Sequence, residues 1–296
     1  MSSNKEMNLG GQAVFEGVMM RGNDHYVVAV RNSSQEIVFD EKKISTLTKK
    51  FPILKLPFLR GIVMLFETLY LGFLALSFSL EVSGEGEFTK KEMILTFVFA
   101  FILVLLVFVA FPTGSIFFLK KFLPFLKRPL FFSLAEGILK ITIFLAYIGM
   151  ISRMQEIRRV FEYHGAEHKS INAYERKRSL LPEKAKEESR FHVSCGTSFI
   201  LWVFVIMILI YSFLGTTNLW QRIFWRLLLL PIIAGISYEA IKLARRFKNS
   251  WWAKLFSLPG TAFQYITTRE PSLDQIEVAQ ASLKRLLELE GVEEAA

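Results

Sequence analysis

Apolar residues in this chain gather into five long runs, at 62–80, 94–111, 130–151, 197–214 and 223–243. Each approaches the ~20 residues that a helix needs to cross a hydrocarbon core. The runs at 94–111 and 199–213 carry no charge. The others do: Glu67 in the first, Glu136 and Lys140 in the third, and Glu239 near the end of the last, which also has Pro231 midway. Charge at membrane depth is expensive and is usually tied to function or pairing.

Outside these runs the pattern changes. Residues 26–31 and 35–40 are rich in β-formers and are joined by the polar turn Asn32-Ser33-Ser34, while 13–20 supplies a third strand. A lysine-rich connection (Lys42, Lys43, Lys49, Lys50) then leads through Pro52 and Pro57 to the first apolar run. After Pro271, Ser272 and Gln275 fit a capping box, and Leu273, Ile276, Leu283, Leu286 and Leu287 form an apolar stripe. This predicts a tail helix docked on the cytoplasmic part and stopped at Gly291.

Composition agrees with the apolar runs. Of 296 residues, 52% are hydrophobic, 21% charged and 29 are Phe, with a mean hydropathy of +0.36. That balance is unusual for a soluble protein and ordinary for a polytopic membrane protein. The lone Cys195 excludes an internal disulfide framework. The polar first twelve residues do not read as a secretory signal. The net charge of +9 sits on residues flanking the apolar runs. It therefore argues for membrane orientation and against a nucleic-acid partner.

The connection 81–92 is acidic, whereas 120–128 and 152–196 are basic. The positive-inside rule places both basic connections in the cytoplasm, which requires the run 130–151 not to cross. Glu136 and Lys140, four apart, could pair along one face of such a segment. The expected fold is an α-helical polytopic membrane protein with four spanning helices plus one re-entrant or interfacial helix. A small N-terminal β module, a cytoplasmic helical region and cytoplasmic termini complete it. The divisions are 1–50 (β module), 51–151 (membrane segments 1–3), 152–196 (cytoplasmic His/Glu/Cys loop), 197–247 (membrane segments 4–5) and 248–296 (C-terminal segment and docking helix).

The candidate chemistry lies in that loop. His164 and His168 are four apart, so a helix stacks them on one face. Glu167 stands beside them in the His-x-x-Glu-His order of inverted zinc metallopeptidases. Glu175 continues the same stripe, and His192 and Cys195 follow shortly after. A thiolate in the set would suit zinc better than magnesium or calcium. Gly165 is costly in a helix unless another backbone or a substrate approaches there. The plainer alternative makes the histidines solvated surface residues and Cys195 a small buried hydrophobe.

Four motifs carry a resemblance: GGQAVFEGVMMRG at 10–22, YHGAEHK at 163–169, CGTSF at 195–199 and TTREP at 267–271. Together they resemble the YqhQ-like family, uncharacterised bacterial membrane proteins of a domain-of-unknown-function class, described as predicted metal-dependent enzymes. The resemblance implies a multi-pass protein of the bacterial inner membrane. It also implies that the glycine-rich segment with Glu16 and Arg21, and the 267–271 segment with Arg269, serve the site. His192 falls where the family's pattern tends to have a histidine.

The expected function is metal-assisted hydrolysis at the cytoplasmic face, with a divalent ion, zinc by preference. His164 and His168 are the ligands, with Glu175, His192 or Cys195 completing the sphere and Glu167 as general base. Glu16, Arg21, Glu136 and Arg269 are accessory candidates. Partners are the lipid bilayer and a membrane peptide or lipid substrate. The alternative is a non-catalytic scaffold or regulator that binds a protein partner through its cytoplasmic region. A transporter using Glu67, Glu136 and Glu239 is disfavoured by the lack of repeat symmetry.

Overall fold

The computed structural model describes residues 9–45, 47–84, 89–193, 195–215, 218–247 and 250–292. Most of the polar N-terminal stretch, Glu85 and Glu87 of the acidic connection, and Ser194 lie outside the described residues. The strands are β1 (Gly10–Val14), β2 (Gly17–Arg21), β3 (His25–Arg31) and β4 (Ile37–Lys43). The helices begin with α1 (Leu47–Lys50), α2 (Leu59–Ser83) and α3 (Lys90–Leu105), which runs through a π turn into α4 (Phe111–Leu119). There follow α5 (Pro129–Ile151), α6 (Gln155–Glu175), α7 (Pro182–Lys186) and α8 (Gly196–Ser212). The last three are α9 (Leu219–Arg246), α10 (Trp251–Thr267) and α11 (Leu273–Glu290).

The four strands form one antiparallel sheet in sequence order. The stretch 13–20, expected as a single strand, is instead split by a hairpin: Val14 pairs with Gly17, and Glu16 takes φ 51° in the two-residue loop between them. Such loops require positive φ, usually signalled by glycine or asparagine. Here a glutamate fills the position, so the sequence did not announce the turn.

Alternation along the strands buries both faces of the sheet. Val18, Met20, Val27 and Ala29 share a core with Tyr163 and Ala166 of α6 and with Ile276, Leu283, Leu286 and Leu287 of α11. Val14, Met19, Tyr26, Val28 and Val30 meet Leu71 and Ala75 of α2. The tail helix forms as its sequence predicts: Ser272 and Gln275 make a capping box, and Gly291 ends it at φ 66°. Leu273 departs from the stripe and is exposed.

Helices α3–α4, α5, α8 and α9 form a bundle whose neighbours run antiparallel. Thr113 of α4 donates a hydrogen bond to Glu136 at 2.9 Å, while Phe108, farther back, packs against Phe144, farther forward. Phe144 in turn meets Phe204, and the Tyr211 hydroxyl donates to the Arg226 carbonyl at 2.8 Å.

Four helices are long and apolar enough to cross a membrane: Leu59–Ser83, Ile94–Leu119, Pro129–Ile151 and Leu219–Ala244. The number agrees with expectation but the membership differs. The run 130–151 forms a full 23-residue helix, and its two flanking basic connections lie at opposite ends of it. Glu136 does pair with Lys140, at 2.7 Å, but Arg226 of α9 joins them. The charges thus meet between helices and are not carried to a surface. The run expected as among the securest is the short one, Phe199–Ser212.

Candidate metal centre

Helix α6 is the scaffold of the site. It presents His164 and His168 one turn apart, with ring centroids separated by 4.4 Å. Cys195 arrives from the segment between α7 and α8, and its Sγ lies 3.2 Å from His164 Nε2. Ligand atoms of His164, His168 and Cys195 all lie within 4.8 Å of one another.

The imidazoles are held in one tautomer. His164 Nδ1 is 2.8 Å from the Thr267 carbonyl oxygen, and His168 Nδ1 is 2.6 Å from that of Arg190. A carbonyl only accepts, so each Nδ1 donates and each Nε2 keeps its lone pair for the cluster. His168 Nε2 is buried and has no hydrogen-bond partner. Burial also pushes the His168 pKa down, with the Cys195 thiol acting in the opposite direction. This favours the neutral ring, the form that ligates a metal. Cys195 caps α8, accepting the Thr197 N–H at 3.4 Å, so the positive end of that helix faces the sulfur.

Glu167 is buried beside the cluster, its Oε2 3.8 Å from His164 Nε2. Burial pushes its pKa above the ordinary carboxylate value, and His164 and His192 pull it back. Gly11 of β1 lies against it, where a side chain would overlap the Glu167 carboxylate. The glycine-rich segment therefore reaches the site through a missing side chain.

Two further features hold the geometry. Gln264 of α10 donates from Nε2 to the His192 carbonyl at 2.8 Å and accepts the His192 N–H through Oε1 at 2.9 Å. Asn172 of α6 donates to the carbonyls of Ser189, at 2.7 Å, and Phe191, at 3.1 Å. Together they clamp the segment carrying Arg190 and Cys195 onto α6 and α10. Sequence reading missed both residues, because a lone amide has no spacing to betray it.

The remaining candidates are less central. His192 is adjacent, its ring 5.8 Å from that of His168, and its Nε2 lies 3.5 Å from Glu175. Glu175 thus faces His192 and does not join the three-donor group. Glu16 pairs with Arg159 and accepts from the Tyr163 hydroxyl at 3.2 Å, away from the cluster. Arg21 pairs with Glu67 of α2 at 3.1 Å, and Glu136 lies within the bundle. Arg269 acts through its backbone: its N–H donates to the Phe161 carbonyl at 2.8 Å, and its own carbonyl abuts Gly165.

A mostly helical chain with four helices of membrane-crossing length, a small antiparallel sheet and a largely buried His/His/Cys cluster is the class these features define. The family model described as "Protein of unknown function (DUF1385)" matches residues 56–289, and the chain belongs to this family. It is similar to the "Uncharacterized protein YqhQ" of Bacillus subtilis (strain 168), with 37% identity covering 96% of this chain and 94% of the relative. No solved structure matches the chain.

Proposed function

We propose that this protein is a membrane-embedded, metal-dependent hydrolase whose site lies at the cytoplasmic boundary of the bilayer. One observation carries the reading: two imidazoles, His168 buried and His164 partly so, each locked by a backbone carbonyl, turn their free nitrogens toward one thiol. Two nitrogens and a sulfur suit zinc and disfavour magnesium or calcium. When bound, the ion supplies Lewis acidity and lowers the pKa of water toward neutrality. Within the chain, Glu167 is the proton acceptor, and its raised pKa brings it closer to the working range of a general base. The carbonyls of Thr267 and Arg190 hold the ligands in register, and Gln264 keeps the segment bearing Arg190 and Cys195 in place.

The proposed spans are α3–α4, α5, α8 and α9. Helix α2, although long enough, packs Leu71 and Ala75 on the sheet, and Arg60 near its start pairs with Glu239 of α9. A helix that covers one face of a polar-rimmed sheet lies at the membrane surface. Helix α10 exposes Trp251, Leu255, Leu258 and Tyr265 along one stripe, as an interfacial helix does. The sheet, α6 and α11 then share one side. The ten basic residues of 152–196 support a cytoplasmic placement of that side. The cluster sits where α8 leaves this unit for the bundle, so its substrate is a membrane peptide or a lipid head group.

Metal analysis of the purified full-length protein tests this reading. Wild type should carry about one zinc per chain and the His164→Ala/His168→Ala variant none; a wild type without stoichiometric metal ends it. In cells, Glu167→Gln should abolish function while sparing metal and fold. Function that survives this change would assign the cluster a structural role.

A further inference from the structure

The bundle carries a second polar cluster, far from the histidines. Glu136, Lys140, Arg222 and Arg226 each expose 4% or less of their surface. Glu136 is fully engaged: it accepts from Arg226 Nε at 2.7 Å and from Thr113 at 2.9 Å, and pairs with Lys140 at 2.7 Å. Its one negative charge faces three positive ones. Arg222 is the cation left over. Its guanidinium lies 4.0 Å above the Phe132 ring, and its Nε is buried without an acceptor. Among the described residues no carboxylate pairs with it.

Unbalanced charge in a low-dielectric interior is costly, and a cation–π contact offsets only part of that cost. The surroundings add to the excess. The connection after α4 supplies Lys120, Lys121, Lys127 and Arg128, and Lys120 lies within electrostatic reach of Arg222. With the membrane placement proposed above, this end of the bundle faces away from the cytoplasm, where basic residues are normally sparse. Exposed Phe122, Phe125, Phe213, Trp220 and Phe224 gather at the same end. Of these, Trp220 is the type that marks the level of the lipid head groups, and the phenylalanines add apolar surface beside it.

We propose that Arg222, supported by Arg226 and Lys120, binds a phosphate-bearing anion at the end of the bundle opposite the His/Cys cluster. The planar guanidinium fork matches phosphate oxygens, and the bound charge supplies what Glu136 alone cannot. The same chemistry is offered by the head group of an anionic phospholipid and by free phosphate. This site is independent of the metal reading, since it shares no residue with it.

The test uses full-length protein and tryptophan-fluorescence melting in three settings: nanodiscs of phosphatidylcholine alone, the same with phosphatidylglycerol added, and phosphatidylcholine with inorganic phosphate. Wild type should be stabilised by phosphatidylglycerol, by phosphate or by both, and native mass spectrometry should find one retained phospholipid when the lipid is the source. Stabilisation by phosphatidylglycerol alone assigns a lipid head group, whereas stabilisation by phosphate assigns a soluble anion. Arg222→Gln should weaken binding at least about tenfold, while Arg246→Gln, the same charge change at the other end of α9, should not. Should Arg222→Gln fail to fold, Arg222→Lys keeps the charge, removes the fork and should still weaken binding. Equal melting of wild type in all three settings, or an undiminished response in the Arg222 variants, overturns the proposal.

Discussion

The carbonyl oxygen of Arg269 occupies the space that a side chain on Gly165 would need. The amide of the same residue donates to Phe161, one turn earlier on α6. The connector between α10 and α11 is thus laid backbone against backbone on the helix that bears both histidines. A methyl group at 165 has no flexible neighbour to displace. Gly165→Ala should lower stability by about 1–3 kcal/mol through overpacking. Thermal melting of the purified protein measures this, and an unchanged midpoint would refute the close approach.

Cobalt substitution separates the ligands from their neighbours. Cobalt-loaded wild type should show a sulfur-to-metal charge-transfer band, because Cys195 Sγ is in the donor group. Cys195→Ser should lose that band. Glu175→Gln should keep it, since Glu175 faces His192 instead of the cluster. Loss of the band in Glu175→Gln would restore that residue as a ligand.

Gln264 touches no proposed ligand atom, yet it clamps the backbone of His192 from both sides. Removing a partner from buried backbone groups costs roughly 1–3 kcal/mol each, and loss of ligand support typically costs 10–100-fold in metal affinity. Gln264→Ala should therefore bind zinc about 10–100-fold more weakly in competition with a chromophoric chelator. An affinity equal to wild type would show that the segment holds itself.

The buried carboxylate sets a pH signature in the metal-free protein. The pKa of Glu167 is raised above 4.5 by burial, so folding favours its protonated form. That preference stabilises the fold below about pH 4.5 and turns into a growing penalty as pH rises through the folded-state value. Glu167→Gln should consequently raise the melting temperature of the metal-free protein at neutral pH, with the gain shrinking toward pH 4. A gain that is constant with pH would mean that ionisation is not the cause.

Cysteine labelling checks which helices cross. Ser33→Cys, on the exposed β3–β4 turn, should resist a membrane-impermeant maleimide in intact cells. Phe122→Cys, exposed at the far end of the bundle, should react. Reaction of both, or of neither, would contradict four crossings with the sheet in the cytoplasm.

Periodicity revealed the tail helix, because the Ser272/Gln275 cap and the leucine stripe are local signals. Spacing likewise revealed that His164 and His168 share a face, and the cost of Gly165 pointed to a close neighbour. The sequence could not show that Cys195 meets His164 while Glu175 does not, since that depends on how the 186–195 segment folds back on α6. The full set of partners of the third apolar run was hidden for a related reason. Glu136 and Lys140 suggested a segment that stays at the surface, but the deciding partner, Arg226, is 90 residues away. Helix α2 has the length of a span, and its packing of Leu71 and Ala75 on the sheet could not be read from its own residues.

Cys195 is at once the sulfur of the cluster and the first cap of α8. A change in the tilt of that helix swings the thiol relative to the imidazoles carried by α6. The spacing of the three donor atoms is therefore fixed jointly by the seating of α8 and the face of α6, so whatever shifts one of these helices against the other redraws the cluster.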